Sequence, residues 1–177
     1  MAWTSPLRLE IQKRLTVVLE QITPSNGYVM DFSATTVKRV FRGRAVFGDN
    51  DPIPMLSILE APIPIDQLPA PADSGMSSGG WELVIQGFFK DDKENPTDEA
   101  HVGLADVKKR LAMEAMKSLL LSHPNDGILG LGNDVLKMQI GPGVVRPPDE
   151  ISAKAYFWLN LQLDLAEDLT DPYGVKT

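Results

Sequence analysis

The sequence predicts an α+β fold: a mixed, largely antiparallel β-sheet of about five or six strands, with two amphipathic helices packed on one face. Two segments carry apolar residues at three- and four-residue steps, which is typical of helices. Two others, Trp81 to Lys90 and Ala155 to Leu165, alternate apolar and polar residues, which is typical of strands with one buried face. Two helices cannot cover both faces of such a sheet, so we expect them to share one side.

The first helix is predicted from about residue 5 to residue 22. Ser5 and Pro6 have the order of an N-cap followed by a proline in the first turn. Turn-forming residues from Thr23 to Gly27 end the helix. Its apolar stripe consists of Leu7, Ile11, Leu15, Val18, Leu19 and Ile22.

Three strands are predicted before residue 60. Tyr28 to Phe32 forms a short one, and residues 37–47 form the second. Met55 to Leu59 is nearly all apolar, which favours a strand covered on both faces. Residues 62–80 then change composition sharply, because proline, glycine and serine dominate them. This segment is predicted to be a long, flexible loop.

The second half of the chain repeats these signals. After the strand at Trp81 to Lys90, a helix is predicted to begin near Asn95, with a stripe that includes Leu104, Val107 and Leu111. Strands are predicted at 135–140 and 155–165, and residues 168–177 form an acidic tail. At 177 residues the whole chain is expected to be a single domain.

Composition argues against several functional classes. With 17 basic and 24 acidic residues, the net charge of −7 disfavours sequence-independent binding of nucleic acid or anionic lipid. The chain has no cysteine, which excludes disulfides, thiolate catalysis and cysteine-based metal sites. No stretch approaches the ~20 apolar residues of a membrane span, and the N-terminus lacks a signal-peptide pattern. We therefore expect a soluble protein made in the cytosol.

One short pattern points to catalysis. Gly75-Met76-Ser77-Ser78-Gly79 matches the G-x-S-x-G form of a nucleophile elbow, in which a strand-to-helix turn presents the serine. Here the pattern leads into a predicted strand instead of a helix, which favours loop chemistry. His101 and His123 are the only histidines, and their spacing is not that of metal ligands. Neither a cofactor nor a metal is expected.

A basic segment falls within residues 38–44, and we keep this name for it below. It could contact phosphates, or form an ordinary solvated sheet edge. In a chain of net charge −7 we favour a third interpretation, salt bridges to acidic residues of a neighbouring copy. The cations of the basic segment are Lys38, Arg39, Arg42 and Arg44.

The acidic partners of the basic segment are predicted at the end of the last strand. Glu167, Asp168 and Asp171 concentrate negative charge there. Tyr156 and Trp158 are expected on the sheet face away from the helices, without cover from their own chain. A partly apolar exposed sheet face is usually an interface. These five residues complete the predicted subunit interface.

A resemblance to a known family lies in Val37 to Pro62, which reads VKRVFRGRAVFGDNDPIPMLSILEAP. An amphipathic N-terminal helix and a short strand after Gly27-Tyr28 precede it. Together with the R-G-R strand, the D-x-x-P turn and the I-L-E-x-P strand, this order resembles minor tail proteins of tailed bacteriophages. The tail terminator, also called tail completion protein, is the most similar of these. The element order of most of the chain fits the same resemblance.

The resemblance implies a small non-enzymatic α+β virion subunit that forms a hexameric ring. Such a ring caps the finished tail tube and joins it to the head–tail connector at the neck, with DNA passing through the lumen. The implied partners are other copies of the chain, the tail tube protein and the connector protein. Two alternatives stay open: a monomeric protein-binding module that uses residues 62–80, and a hydrolase that uses Ser77.

Overall fold

The computed structural model describes residues 4–61, 75–119 and 126–173. Two helices and a mixed sheet form the architecture, which confirms the predicted α+β class. Single 3₁₀ turns lie at Pro24–Asn26, Met116–Leu119, Ile128–Gly130 and Gly132–Asp134. The helices and strands are α1 (Leu7–Glu20), β1 (Val40–Arg42), β2 (Met55–Glu60), β3 (Met76–Phe89), α2 (Asp98–Ala115), β4 (Val135–Ile140), β5 (Val144–Arg146) and β6 (Ala155–Asp168).

The described strands form one sheet in the order β1-β2-β3-β6-β4, and β5 pairs with β6 beside β4. Only the β1–β2 pair is parallel, so the sheet is mixed and largely antiparallel, as predicted. The longest ladder joins β3 to β6, from Met76 opposite Asp168 to Phe89 opposite Ala155. These two strands form the central axis of the sheet.

Both helices pack on the same face of the sheet, which confirms a second prediction. A single apolar cluster joins α1, α2 and the inward residues of the strands. Leu159 and Leu161 of β6 are completely buried in it. Helix α2 approaches β3 so closely that a Cβ on Gly103 would lie 2.2 Å from the Phe89 ring. We call the opposite side of the sheet the far face.

The start of α1 differs from the prediction at Ser5. The helix begins at Leu7, and Pro6 occupies the N-cap position without a side-chain hydrogen bond to the backbone. The Ser5 hydroxyl instead donates a 2.8 Å hydrogen bond to the Glu10 carboxylate. At the other end, α1 stops at Glu20, although Ile22 is still buried in the core.

The predicted strand from Tyr28 to Phe32 is wrong, because these residues pair with no other strand in the described structure. Met30 and Phe32 are nonetheless buried, while Asp31 between them is exposed. The Asp106 carboxylate of α2 accepts hydrogen bonds from the backbone N–H groups of Val29 at 2.8 Å and Met30 at 2.7 Å. A side chain thus supplies the acceptors that a neighbouring strand would have provided.

Two other boundaries also need correction, and one strand was not predicted. The strand predicted at 37–47 is limited to Val40–Arg42. Within the predicted 62–80 loop, residues 76–80 belong to β3, because they continue its ladder with β6. Residues 62–74 of that loop lie outside the described residues. Strand β5 had no prediction, since three residues are too few to show a period.

The far face carries a second, smaller cluster that corrects another expectation. Tyr156 was expected to lack cover from its own chain, but it is almost fully buried. The segment that follows β1 covers it, and the Ser57 hydroxyl anchors this segment by donating a 2.6 Å hydrogen bond to the Arg44 carbonyl. We call this group the aromatic cluster; it consists of Met55, Phe88 and Tyr156 with Phe41, Phe47 and Trp158.

Candidate assembly interface

The basic segment surrounds β1, which is the terminal strand at one edge of the sheet. The Arg39 guanidinium donates a 3.0 Å hydrogen bond to the Pro54 carbonyl. Arg42 donates to the Thr16 hydroxyl of α1 at 3.1 Å, so it lies on the helix side of the edge. These contacts fix two cations of the segment in place but do not neutralise their charge.

Lys38 and Arg44 lie on the Phe41 side of the same edge. The Lys38 ammonium is 5.7 Å from the centre of the Phe41 ring, and the Arg44 guanidinium is 4.6 Å from it. Arg44 also pairs with the Asp51 carboxylate. Among the described residues, Arg44 is the only cation of the segment with a carboxylate at ion-pair distance. Positive charge at this edge therefore remains available to a partner.

Negative charge is concentrated where β6 ends. We call residues 164–171, which read DLAEDLTD, the acidic tip. The hydroxyl and the backbone N–H of Thr170 donate hydrogen bonds to the Asp168 carboxylate at 2.6 Å and 2.9 Å. These two bonds lower the pKa of Asp168 below its ordinary value, so its negative charge persists in mild acid.

Glu167 of the acidic tip already has a partner in its own chain. Both of its carboxylate oxygens accept hydrogen bonds from Arg8, each at 2.9 Å. Glu167 was predicted to face a neighbouring copy, and the structure places it on the helix side of β6 instead. The charge that the tip can offer to a partner rests on Asp164 and Asp168, which have no cation at ion-pair distance among the described residues.

The structure does not bring the basic segment and the acidic tip together within one chain. Strands β2 and β3 separate β1 from β6 across the sheet. The register also places β1 level with Phe157 and Leu159, near the start of β6, whereas the acidic tip is at its end. The two sets therefore lie at different ends of the sheet. Their role as a subunit interface stays a prediction.

The two aromatic residues of the predicted interface have different surroundings. The Tyr156 hydroxyl donates a 2.9 Å hydrogen bond to the Asp149 carboxylate. Burial raises the pKa of Tyr156, and the neighbouring Asp149 raises it further. Trp158 is only half-buried, with its ring centre 5.8 Å from that of Tyr156. Trp158 is thus available for contact, while Tyr156 serves mainly in packing.

Sequence reasoning missed two buried carboxylates of α2. Asp106 holds the segment at Val29 and Met30, as described above. Glu114 is buried, accepts a 2.9 Å hydrogen bond from the Leu129 backbone N–H, and pairs with Arg110 and Lys117. Its position offered a signal, since Glu114 falls seven residues after Val107, which is two helical turns along the apolar stripe.

The catalytic pattern around Ser77 does not form a nucleophile elbow. Ser77 lies within β3, opposite Glu167 in the ladder with β6, and no helix follows it there. In the ranges that the structure describes, no group of three or more histidine, aspartate or glutamate side chains is arranged to hold a metal ion. Likewise, no described helix is long and apolar enough to cross a membrane.

Comparisons with known proteins leave the family open. No protein-family model matches the chain, and a search of curated proteins finds no significant match.

Proposed function

We propose that the chain is a non-enzymatic virion structural protein, a subunit similar to the tail terminators of tailed bacteriophages. Copies of it assemble into a ring that caps the completed tail tube and joins it to the head–neck connector. DNA passes through the lumen of this ring. The resemblance of Val37 to Pro62 and of the element order supports the family, and the charge distribution supports the assembly.

The observation that carries the proposal is the separation of opposite charge on one subunit. Lys38, Arg39 and Arg42 have no carboxylate at ion-pair distance among the described residues, and neither Asp164 nor Asp168 has a cation at that distance there. Because one subunit carries positive charge at one place and negative charge at another, the basic segment of one copy can contact the acidic tip of the next copy in a head-to-tail arrangement. When the rotation between subunits closes, such a contact generates a ring.

The overall charge is compatible with a lumen that conducts DNA. A net charge of −7 repels the phosphate backbone, so DNA can pass without being held. We expect the assembly to weaken as ionic strength rises, because salt screens exposed ion pairs.

The test combines mass with shape. We expect light scattering coupled to size-exclusion chromatography to give a multiple of the 19.4 kDa chain, and negative-stain images to show rings. The rings should bind to purified tail tubes and stop their elongation. A strict monomer at high protein concentration would contradict the proposal, and binding of a peptide by that monomer would favour the protein-binding alternative. Ester hydrolysis that disappears in Ser77→Ala would favour the hydrolase.

A further inference from the structure

Two exposed apolar surfaces lie at opposite ends of the β3–β6 pair. One surrounds a cleft on the far face and is called the cleft surface; it consists of Val46 and Ile151 with the aromatic cluster beneath. The other overlaps the end of the acidic tip and is called the tip surface; it consists of Met76, Leu169 and Tyr173. With 14 residues in β6, the two ends are about 45 Å apart along the strand.

The cleft has the size of a side-chain pocket. Phe88 and Tyr156 are among its floor residues, and Val46 and Ile151 line its walls. Its volume of about 280 Å³ falls just below the roughly 300–1,000 Å³ of small-molecule sites. Val46 is 83% exposed and Ile151 is 72% exposed, so the walls present apolar surface that a partner could bury. These properties favour one or two apolar side chains of another protein as the occupant.

The tip surface has a fixed backbone and exposed side chains. The Leu169 N–H donates a 2.7 Å hydrogen bond to the Gly75 carbonyl. The Leu7 N–H of α1 donates a 3.1 Å hydrogen bond to the Pro172 carbonyl. About half of the Leu169 and Tyr173 side chains nonetheless remains exposed. Because the backbone is already fixed, docking of these side chains costs their rotamer freedom but little backbone entropy.

Charge indicates what fills the cleft. Lys38 of the basic segment lies 5.7 Å from the centre of the Phe41 ring in the aromatic cluster, and it has no carboxylate at ion-pair distance among the described residues. Leu169 directly follows Asp168 in the acidic tip. Each apolar surface therefore stands beside charge that complements the charge beside the other. Because one chain carries both halves, a second copy of this chain is the partner that fits.

We propose that Leu169 and Tyr173 of one copy dock into the cleft surface of the next copy. This inference rests on the proposed ring, and it identifies the apolar part of its interface. The charged residues around both surfaces then orient the two copies, while burial of the apolar side chains provides most of the affinity.

The test compares Ile151→Asp with the matched control Val29→Asp. Both residues are 72% exposed, but Val29 lies on the helix side, away from either surface. We expect Ile151→Asp to raise the dissociation constant of the assembly at least about tenfold, and Val29→Asp to change it less than about twofold. Circular dichroism checks that each variant folds. Leu169→Asp should weaken assembly as Ile151→Asp does.

Cross-linking gives a second readout, since the natural chain has no cysteine. A short bis-maleimide should join Ile151→Cys/Leu169→Cys chains into ladders, and should leave Val29→Cys/Leu169→Cys chains monomeric on a denaturing gel. If the wild type assembles but Ile151→Asp assembles equally well and no ladder forms, this docking is wrong while the ring stands. If the wild type never assembles, both proposals fail.

Discussion

Arg8 of α1 holds Glu167 of β6 through two hydrogen bonds of 2.9 Å, one to each carboxylate oxygen. The Arg8 guanidinium also lies 5.1 Å from the centre of the Trp81 ring in β3. The contact ties the first helix to the last strand across 159 positions of the chain. It also explains why Glu167 is not free to meet a neighbouring copy.

A double-mutant cycle on Arg8→Ala and Glu167→Ala measures this contact. The Arg8 side chain is 42% exposed, so solvent screens the pair and we expect a coupling energy of about 0.5–1 kcal/mol. Urea unfolding of dilute protein gives the four free energies. A coupling energy indistinguishable from zero would contradict the structural role of the pair. The mass of the assembly should be unchanged in Glu167→Gln.

Asp106 should matter more to stability than any exposed acid. Asp106→Ala leaves the N–H groups of Val29 and Met30 without their acceptor, which should lower the free energy of unfolding by about 2–4 kcal/mol. Asp49 is exposed, so Asp49→Ala is the control and should cost less than about 0.5 kcal/mol. Equal effects of the two substitutions in urea unfolding would refute this role of Asp106.

The same contact explains a limit of the sequence prediction. Met30 and Phe32 alternate with exposed residues as in a strand, so their burial was predictable. Their lack of a strand partner was not, because the acceptor is a side chain that lies 76 positions away from Met30. Local alternation reports which side chains are buried, whereas pairing depends on distant parts of the chain.

Long, regular patterns gave reliable predictions. The alternation in β6 placed Leu159 and Leu161 correctly on the helix side. Residues 76–80 are glycine- and serine-rich and looked like a loop, yet the ladder with β6 extends over them. In the candidate interface, the charges were visible in the sequence, but the capture of Glu167 by Arg8 and the burial of Tyr156 depend on tertiary packing.

The core position of β6 gives a stability prediction. Leu161 is fully buried between the helices and the sheet, so Leu161→Ala should lower the free energy of unfolding by about 2–5 kcal/mol. Leu136 of β4 is 51% exposed, and Leu136→Ala should cost less than about 1 kcal/mol. Chemical denaturation compares the two variants. A larger loss in Leu136→Ala would mean that the faces of the sheet are exchanged.

The raised pKa of Tyr156 predicts that the protein loses stability at alkaline pH. Burial and Asp149 raise its pKa in the folded chain, so below the unfolded pKa of about 10 its stabilising contribution is complete. Above that pH, the unfolded chain releases the Tyr156 proton before the folded chain does. The stabilising contribution is therefore lost as the pH rises through the raised pKa of the folded chain. Tyr156→Phe should lack this part of the decline. If the free energy of unfolding falls equally in the wild type and in Tyr156→Phe above pH ~10, the prediction is wrong.

The most direct measurement of the proposed ring is complementation between two charge-reversed variants. The first variant carries Lys38→Glu and Arg42→Glu in the basic segment, and the second carries Asp168→Lys and Asp171→Lys in the acidic tip. Each variant alone places like charges at the contact, so each should remain monomeric by light scattering at low salt. When the two variants are mixed in equal amounts, each contact between one variant and the other again joins opposite charges. The mass of the wild-type assembly should then return. Full assembly of either variant alone, or a mixture that stays monomeric when the wild type assembles, would contradict a head-to-tail contact between these two surfaces.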